Sequence, residues 1–407
     1  MKLLGQAIVL LVSALVLAGC AGTNVAPAGY INAADFRTCL LTMGKGEAGS
    51  INASAISALN DGKKRLGVAE HRRTVESPAK IDKAIAHDIS INCSLIIGVG
   101  EAFVEPLMEQ AKYHRARHFA LLLPPGTTAQ ATRENLAVIT YDLSQPAYVA
   151  GFIAAGTSAS GQVAVIAGEK NPTNQTLLTA FAKGVARYNT EQNTKNSSAV
   201  KANVKPGGKG LYLGKKPPVS QIKSRVEGLV KQGADVIFFA EGVQSPAGLA
   251  VIAKANQDRE KAFEATEEGT KNVEPDSGDL KLSPSESNEK TIASPTVTER
   301  PQENDAVGSI TAIWYLTDGH ETQANSLGQN PPVLTSVVPD LSQAMISLIE
   351  QARKDRFASN STQILGTYKN GWVRLAPFYE YDSTVPNEVK KKSQIIEEEF
   401  RQGTLKI

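Results

Sequence analysis

Along most of this chain, short runs of consecutive apolar residues alternate with longer stretches in which apolar residues return every third or fourth position. "FRTCLLTM", "CSLIIGVG", "HFALLL" and "LAVITYD" are runs of the first kind. "SINASAISALNDGKKRLG" is of the second kind: with a helix starting near Ser50 or Asn52, it sets Ile51, Ala55, Ile56, Leu59 and Leu66 on one face. Another strand is expected within "LGVAEHRRTVE", and helices through "AKIDKAIAHDI" and "PLMEQAKYH". Continuous apolar runs mark strands buried on both faces, and the three-to-four spacing marks amphipathic helices.

The pattern begins again after a break near Thr140–Pro146. "PAYVAGFIAAGTSAS" predicts an apolar, small-residue helix. It is followed by a strand ("GQVAVIAG"), a helix ("NQTLLTAFAKGVARYN"), a short strand ("GLYLG") and a helix ("SQIKSRVEGLVKQG"). "ADVIFFAEG", "ITAIWYLTDG" and "VLTSVV" are further strands, with helices in "PAGLAVIAKAN" and "DLSQAMISLIEQARKD". Near the end, "TYKNGWVRL" predicts a hairpin turning at Asn370-Gly371. "NEVKKKSQIIEEEFRQG" predicts a last helix whose charge blocks form a solvated face. Strands alternating with helices give parallel sheets covered on both faces. The fold class is therefore α/β, with two doubly wound parallel-sheet lobes and a ligand cleft between them, at the carboxyl ends of the strands. Residues 35–140 form the N-terminal lobe, with parts of 335–407 crossing back to it; residues 141–334 form the second.

Two segments stand outside this pattern. Residues 257–306 are rich in Glu, Ser, Pro, Lys and Thr, with Phe263 as their single aromatic, and are expected to form a disordered surface insertion. At the other end, residues 1–20 carry one early Lys and then an apolar stretch of signal-peptide length, too short to span a membrane with these flanks. They close on Leu17-Ala18-Gly19-Cys20, which resembles the bacterial lipoprotein signal. That resemblance implies lipidation of Cys20, an extracytoplasmic location at the cell membrane, and residues 21–34 as a tether.

The N-terminus changes the reading of "GKGEAG". Gly44, Gly46 and Gly49 make a G-x-G-x-x-G between a strand and a helix, the setting of a dinucleotide loop. Outside the cytoplasm free NAD(P) is not maintained, so the glycines read as permissive turn residues at a helix N-terminus and no cofactor is expected. Composition adds little beyond this. The 407 residues are 42% hydrophobic, enough for two cores, and a net charge of +2 gives no reason to expect nucleic acid. The five His residues are scattered, no Cys/His spacing suggests zinc, and no metal is expected. Cys39 lies five residues before Gly44, and Cys93 five before Gly98. On neighbouring parallel strands their sulfurs would sit near one level and could form a disulfide after export; two buried thiols are the alternative.

Several stretches, in order, resemble the basic membrane protein family of bacterial solute-binding lipoproteins. They are "GSINASAISALNDGKKRLG", "CSLIIGVGEAFVEPLMEQAKYH", "YDLSQPAYVAGFIAA", "GADVIFFAEG", "YLTDGHE" and "PVLTSVVPDLSQAM". The likeness covers roughly Phe36 to the C-terminus, the insertion excepted. It implies a type I periplasmic-binding-protein fold, a purine nucleoside as ligand, an ABC permease as partner and no enzymatic activity. Four positions depart from the family pattern. Ile51 replaces its Phe, Pro124 an Asp and Pro339 a Lys, while Asp318-Gly319-His320-Glu321 keeps only the first Asp of its Asp-x-Asp-Gln. A ribose needs acceptors and a base needs an aromatic face, so the ligand is left as a nucleoside or a similar small polar solute.

The candidate ligand-binding residues follow from these positions. Asn52 opens a helix, as a cap or a ligand contact. Phe103 offers an aromatic face or packs in the core. Glu241 and Asp318 end strands on the cleft side, and His320 follows as a pH-sensitive contact. No G-x-S-x-G and no Ser or Cys with a local His suggests catalysis. The expected function is that of a lipid-anchored solute-binding protein of an ABC importer. The alternative is a surface lipoprotein that keeps the fold and acts as an adhesin, sensor or partner-binding module.

Overall fold

In the first lobe every buried strand is flanked by a helix that supplies its apolar cover. The structure, a computed structural model, describes residues 31–44, 50–127, 129–130, 133–195, 201–271, 308–327, 330–355 and 363–407. Cys20, most of the expected tether, Gly46, Gly49 and residues 272–306 of the expected insertion lie outside these. β1 (Arg37–Met43) leads to α1 (Ile51–Leu66), whose cap is Ser50: its side chain accepts from the Ala53 N–H. Gly67, at φ 67°, ends the helix. β2 (Ala69–Val75), α2 (Ile81–Ser90), β3 (Leu95–Val99), α3 (Val104–Tyr113), β4 (His118–Leu122) and β5 (Leu136–Tyr141) follow. The strands pair in parallel in the order β5-β4-β3-β1-β2.

The second lobe opens with α4 (Ser144–Thr157), apolar around its whole circumference and buried at nearly every position. It crosses α5 (Pro172–Lys195) at backbone contact: a Cβ on Gly151 would lie 2.1 Å from the Phe181 carbonyl oxygen, and one on Gly184 would lie 1.9 Å from that of Tyr148. Before α5 comes β6 (Gln162–Ala167), and after it β7 (Asn203–Lys205) and β8 (Leu211–Tyr212). Then come α6 (Val219–Lys231), β9 (Val236–Phe239), α7 (Pro246–Lys271), β10 (Thr311–Tyr315), α8 (Gly319–Leu327) and β11 (Val333–Pro339). α7 runs well past Gln257, where the composition had placed the start of disorder. The stretch "QDREKAFEATEEGTK" is rich in Glu, Ala, Lys, Arg and Gln, good helix formers, and Lys254 pairs with Asp258 one turn on.

The chain then changes lobe twice more. α9 (Leu341–Arg353) returns to pack on α1, and β12 (Gln363–Gly366) adds to the first sheet beside β5. β13 (Val373–Leu375) joins the second sheet antiparallel to β11, and α10 (Asn387–Gln402) closes over α4. The expected Asn370-Gly371 hairpin is thus a crossing between sheets. Residues 368–370 form a single 3-10 turn boxed by Thr367 and Asn370, and Gly371 ends it at φ 72°. The two strands it separates belong to different sheets.

Cys39 and Cys93 are bonded, with Cα atoms 5.9 Å apart. Their relation is not the level pairing the sequence suggests. Cys39 is in register with Ile96, and Cys93 lies in the turn below β3, its N–H held by the Asp88 carbonyl. Among the described residues, no helix is long and apolar enough to cross a membrane.

Candidate ligand-binding cleft

Three crossings join the lobes, and hydrogen bonds tie them together. The Asp142 N–H donates to the Gly366 carbonyl, and the Asp340 N–H to that of Trp372, each at 2.8 Å. Between the lobes, where the carboxyl ends of the strands open, lie two cavities.

The first, about 330 Å³, is walled by Thr140, Tyr141 and Gln363 of the first lobe, by the crossing at Asp142–Ser144, and by Pro172, Thr173, Thr176 and Tyr315 of the second. The loop at Gly126 approaches α5 closely here: a Cβ on Gly126 would lie 1.9 Å from Thr173 Oγ1. Tyr141 and Tyr315 end their strands at this cavity. Both side chains are buried, yet both hydroxyls lack a partner within the protein. Burial holds both phenols well above their ordinary range, so both stay neutral donors at physiological pH. Glu241 acts on Tyr315 from the loop after β9. Burial raises its carboxyl above the usual range; a hydrogen bond from Asn171 opposes this, and the Glu169 charge adds to it. One Glu241 oxygen, Oε2, is buried and unpartnered. The N-terminus of α5 stands alongside. Asn171 Oδ1 accepts from the Asn174 N–H at 2.8 Å, while Asn174 Nδ2 donates to the Glu169 and Glu241 carbonyls. Asn174 is itself 1% exposed, with its Oδ1 unpartnered.

The second cavity, about 340 Å³, lies between α1, at Ala53, Ser54 and Ser57, and the ends of β10 and β11, at Leu316–Asp318 and Val338–Ser342. Asp318 borders it, but its oxygens are engaged: Oδ1 accepts from the His320 N–H at 3.1 Å, and Oδ2 from the Tyr379 hydroxyl at 2.7 Å. His320 stacks on Tyr379 with ring centroids 3.9 Å apart, and its Nε2 faces Glu380 Oε2 at 2.8 Å. Leu316, also on the cavity wall, is held at φ 74°, a left-handed conformation costly for a branched side chain.

The candidate residues therefore fall into three groups. Asp318 borders the second cavity with His320 beside it and off the cavity wall, and Glu241 acts on Tyr315 from outside the lining of the first. Asn52 is not the cap of α1, which is Ser50; its Nδ2 donates to the Met43 carbonyl at 2.7 Å and pins the end of β1. Phe103 is fully buried in the core between the first sheet and helices α2 and α3, and offers no face to the cleft. Its apolar neighbours Leu107, Ile96 and Phe119 account for that placement. Tyr141 and Tyr315 went unread in the sequence because each closes an apolar run and passes for a core residue. The rule that selected Asp318 and Glu241, polar groups at the carboxyl end of a strand, applies to both.

Residues 49–201 match the Bmp family, described as ABC transporter substrate-binding protein PnrA-like. The fold agrees with that match. A solute-binding protein of an ABC transporter system from Conexibacter woesei superposes with a TM-score of 0.61 at 16% identity, covering 91% of this chain and 98% of that one. One from Aeropyrum pernix gives 0.55 at 16% identity, with 91% and 92% covered. A Bacillus halodurans protein described as a transcriptional activator of the comK gene gives 0.60 at 17% identity, with 91% and 99% covered. No curated protein matches the chain. The architecture is that of type I periplasmic-binding proteins, and the family matched is one of extracytoplasmic solute-binding proteins.

Proposed function

We propose that this chain is a non-enzymatic, lipid-anchored solute-binding protein that captures a small polar ligand between its lobes and delivers it to an ABC permease. The observation that carries the reading is the pair of buried, unpartnered hydroxyls of Tyr141 and Tyr315 at an interlobe cavity of about 330 Å³. That volume lies at the lower end of small-molecule sites, roughly 300–1,000 Å³. Leaving a buried polar atom unpaired costs about 1–3 kcal/mol, a cost that a ligand bearing hydroxyl or amide groups removes. Because each lobe supplies part of the wall, the ligand binds the closed arrangement better and shifts the population toward it. Glu241 supplies an acceptor, and Asp318 a second polar contact from the neighbouring cavity. Ile51, Pro124 and Pro339 stand where the related family carries a stacking ring, a carboxylate and a cation, so a purine nucleoside is expected to bind weakly and another small polar solute better. Lipid on Cys20 would hold the protein at the extracytoplasmic face; partitioning of Cys20→Ser into detergent like the wild type would exclude it.

The test is a thermal-shift screen of nucleosides, bases and sugars followed by titration calorimetry. A ligand at 100 times its Kd stabilises by about 2.7 kcal/mol. Tyr315→Phe should weaken a hit by roughly two- to tenfold, one hydrogen bond of about 0.5–1.5 kcal/mol, and Asp318→Ala should weaken it further without unfolding the chain. No hit from any class would favour the adhesin or sensor alternative, and a hit indifferent to both substitutions would move the ligand out of the cleft.

A further inference from the structure

Far from the cleft, α2 ends against the edge strand of the first sheet. His71 and Arg73 alternate along β2 and so share the face that α2 covers, and His87 and Asp88 come from the last turn of α2. Asp88 is 0% exposed, yet neither of its carboxylate oxygens has a hydrogen-bond partner. Its Oδ1 lies 3.8 Å from His71 Nε2, 3.7 Å from His87 Nδ1 and 3.7 Å from Arg73 Nε. Arg73 Nε is buried and unpartnered too. The cluster as it stands is under-satisfied, with a buried carboxylate and a guanidinium nitrogen facing each other beyond hydrogen-bonding range.

The position of the guanidinium is informative. Arg73 NH2 lies 2.8 Å from His87 Nδ1 and 3.4 Å from His71 Nε2. Arginine only donates, so both imidazole nitrogens must present lone pairs to it. A positive group therefore sits where two imidazole lone pairs and a buried carboxylate converge. These three donor atoms lie within 4.8 Å of one another. Two imidazoles and one carboxylate are a ligand set for zinc, at about 2.0–2.2 Å each with a fourth position left for water. Tetrahedral bonds of that length separate ligand atoms by roughly 3.3 Å, so the 3.7–3.8 Å gaps close with small side-chain rotations. Cys39 and Cys93 lie near Asp88, but as a disulfide they carry no thiolate and add no ligand.

We propose that His71, His87 and Asp88 form a binding site for a divalent transition-metal ion of the zinc type, with the Arg73 guanidinium as its built-in competitor. The Arg73 side chain is 32% exposed on an edge strand and can turn outward to admit the ion. The incoming charge then satisfies Asp88 directly, and the ion staples β2 to the end of α2. The two histidines are also the more exposed members, at 34% and 46%, which gives an ion a route in.

The experiment uses the full chain after chelator treatment, titrated with Zn²⁺ by calorimetry and with Co²⁺ by visible absorption. Wild type should bind one ion per chain with a tetrahedral Co²⁺ spectrum. His71→Ala and His87→Ala should each weaken Zn²⁺ binding by at least about tenfold; Asp88→Asn is avoided because it disturbs a buried group. Arg73→Gln removes the competitor and should bind more tightly than wild type, an outcome that a purely structural Arg73–Asp88 pair does not produce. His114→Ala serves as a control and should bind as wild type does. Absence of saturable binding by the wild-type chain overturns the proposal, as does binding that survives loss of either His71 or His87.

Discussion

A carboxylate placed where Glu241 sits costs stability unless something binds it. Burial raises its folded-state pKa, so the native protein holds this proton more firmly than the unfolded chain does. The stability linked to it is fully present below the unfolded pKa and is lost as pH rises through the folded one. Glu241→Gln should therefore stabilise the ligand-free protein at neutral pH, by up to about 1–3 kcal/mol, seen as a higher melting temperature. The gain should shrink toward zero as pH falls to about 4, where the wild-type group is protonated as well. The same substitution should weaken ligand binding. A melting series across pH with and without ligand checks both, and a Gln variant less stable at neutral pH would mean the charge is already compensated. At this scale the sequence was read unevenly. Asp318 and Glu241 stand out because a charged residue closing an apolar run is conspicuous. Tyr141 and Tyr315 do not, since an aromatic in the same place is also what a core needs. For Phe103 the sequence leaves both roles open, and the structure takes the core one: an aromatic after a strand packs inward.

At the scale of elements, periodicity identified most strands and helices, because buried parallel strands and amphipathic helices differ plainly in spacing. It failed where partner choice, not local pattern, decides the outcome. β12 and β13 look like the arms of one hairpin, yet they belong to different sheets. The cluster of His71, His87 and Asp88 was equally hidden, because its members come from a strand and a helix whose docking no spacing encodes. The Cys39–Cys93 bond acts at this level too, tying β1 to the turn before β3 across a sequence separation of 54. For a loop of that length the chain-entropy estimate is about 4 kcal/mol. The double variant Cys39→Ser, Cys93→Ser should lose about 2–4 kcal/mol in urea unfolding. A loss near zero would mean that the bridge does not form in the protein in solution.

For the whole molecule, two lobes were legible because the βα alternation runs, stops and restarts. Where they touch was not. Gly126 sets one such place, since its missing side chain lets the first-lobe loop lie on Thr173. Gly126→Leu should wedge the lobes apart there. Its φ of 82° adds local backbone strain, but the position is exposed, at the tip of a loop whose core contacts are made by Leu123 and Ala129. Ligand affinity should fall by about tenfold or more, some 1.4 kcal/mol, with a larger radius of gyration in solution scattering and little change in the melting of the ligand-free protein. Unchanged affinity would show that closure does not pass through this contact.

The return of the chain after β11 has a consequence for the order in which the protein can be completed. The first sheet is begun at Arg37 but finished by β12 at Gly366, and α1 stays uncovered until α9 arrives. During synthesis from the N-terminus, the first lobe waits with the edge of β5 and one helix face bare while the second lobe is assembled. A ribosome stalled anywhere before β12 releases a chain with neither lobe closed to the other. In this protein a late truncation is thus a lesion of the earliest-made half.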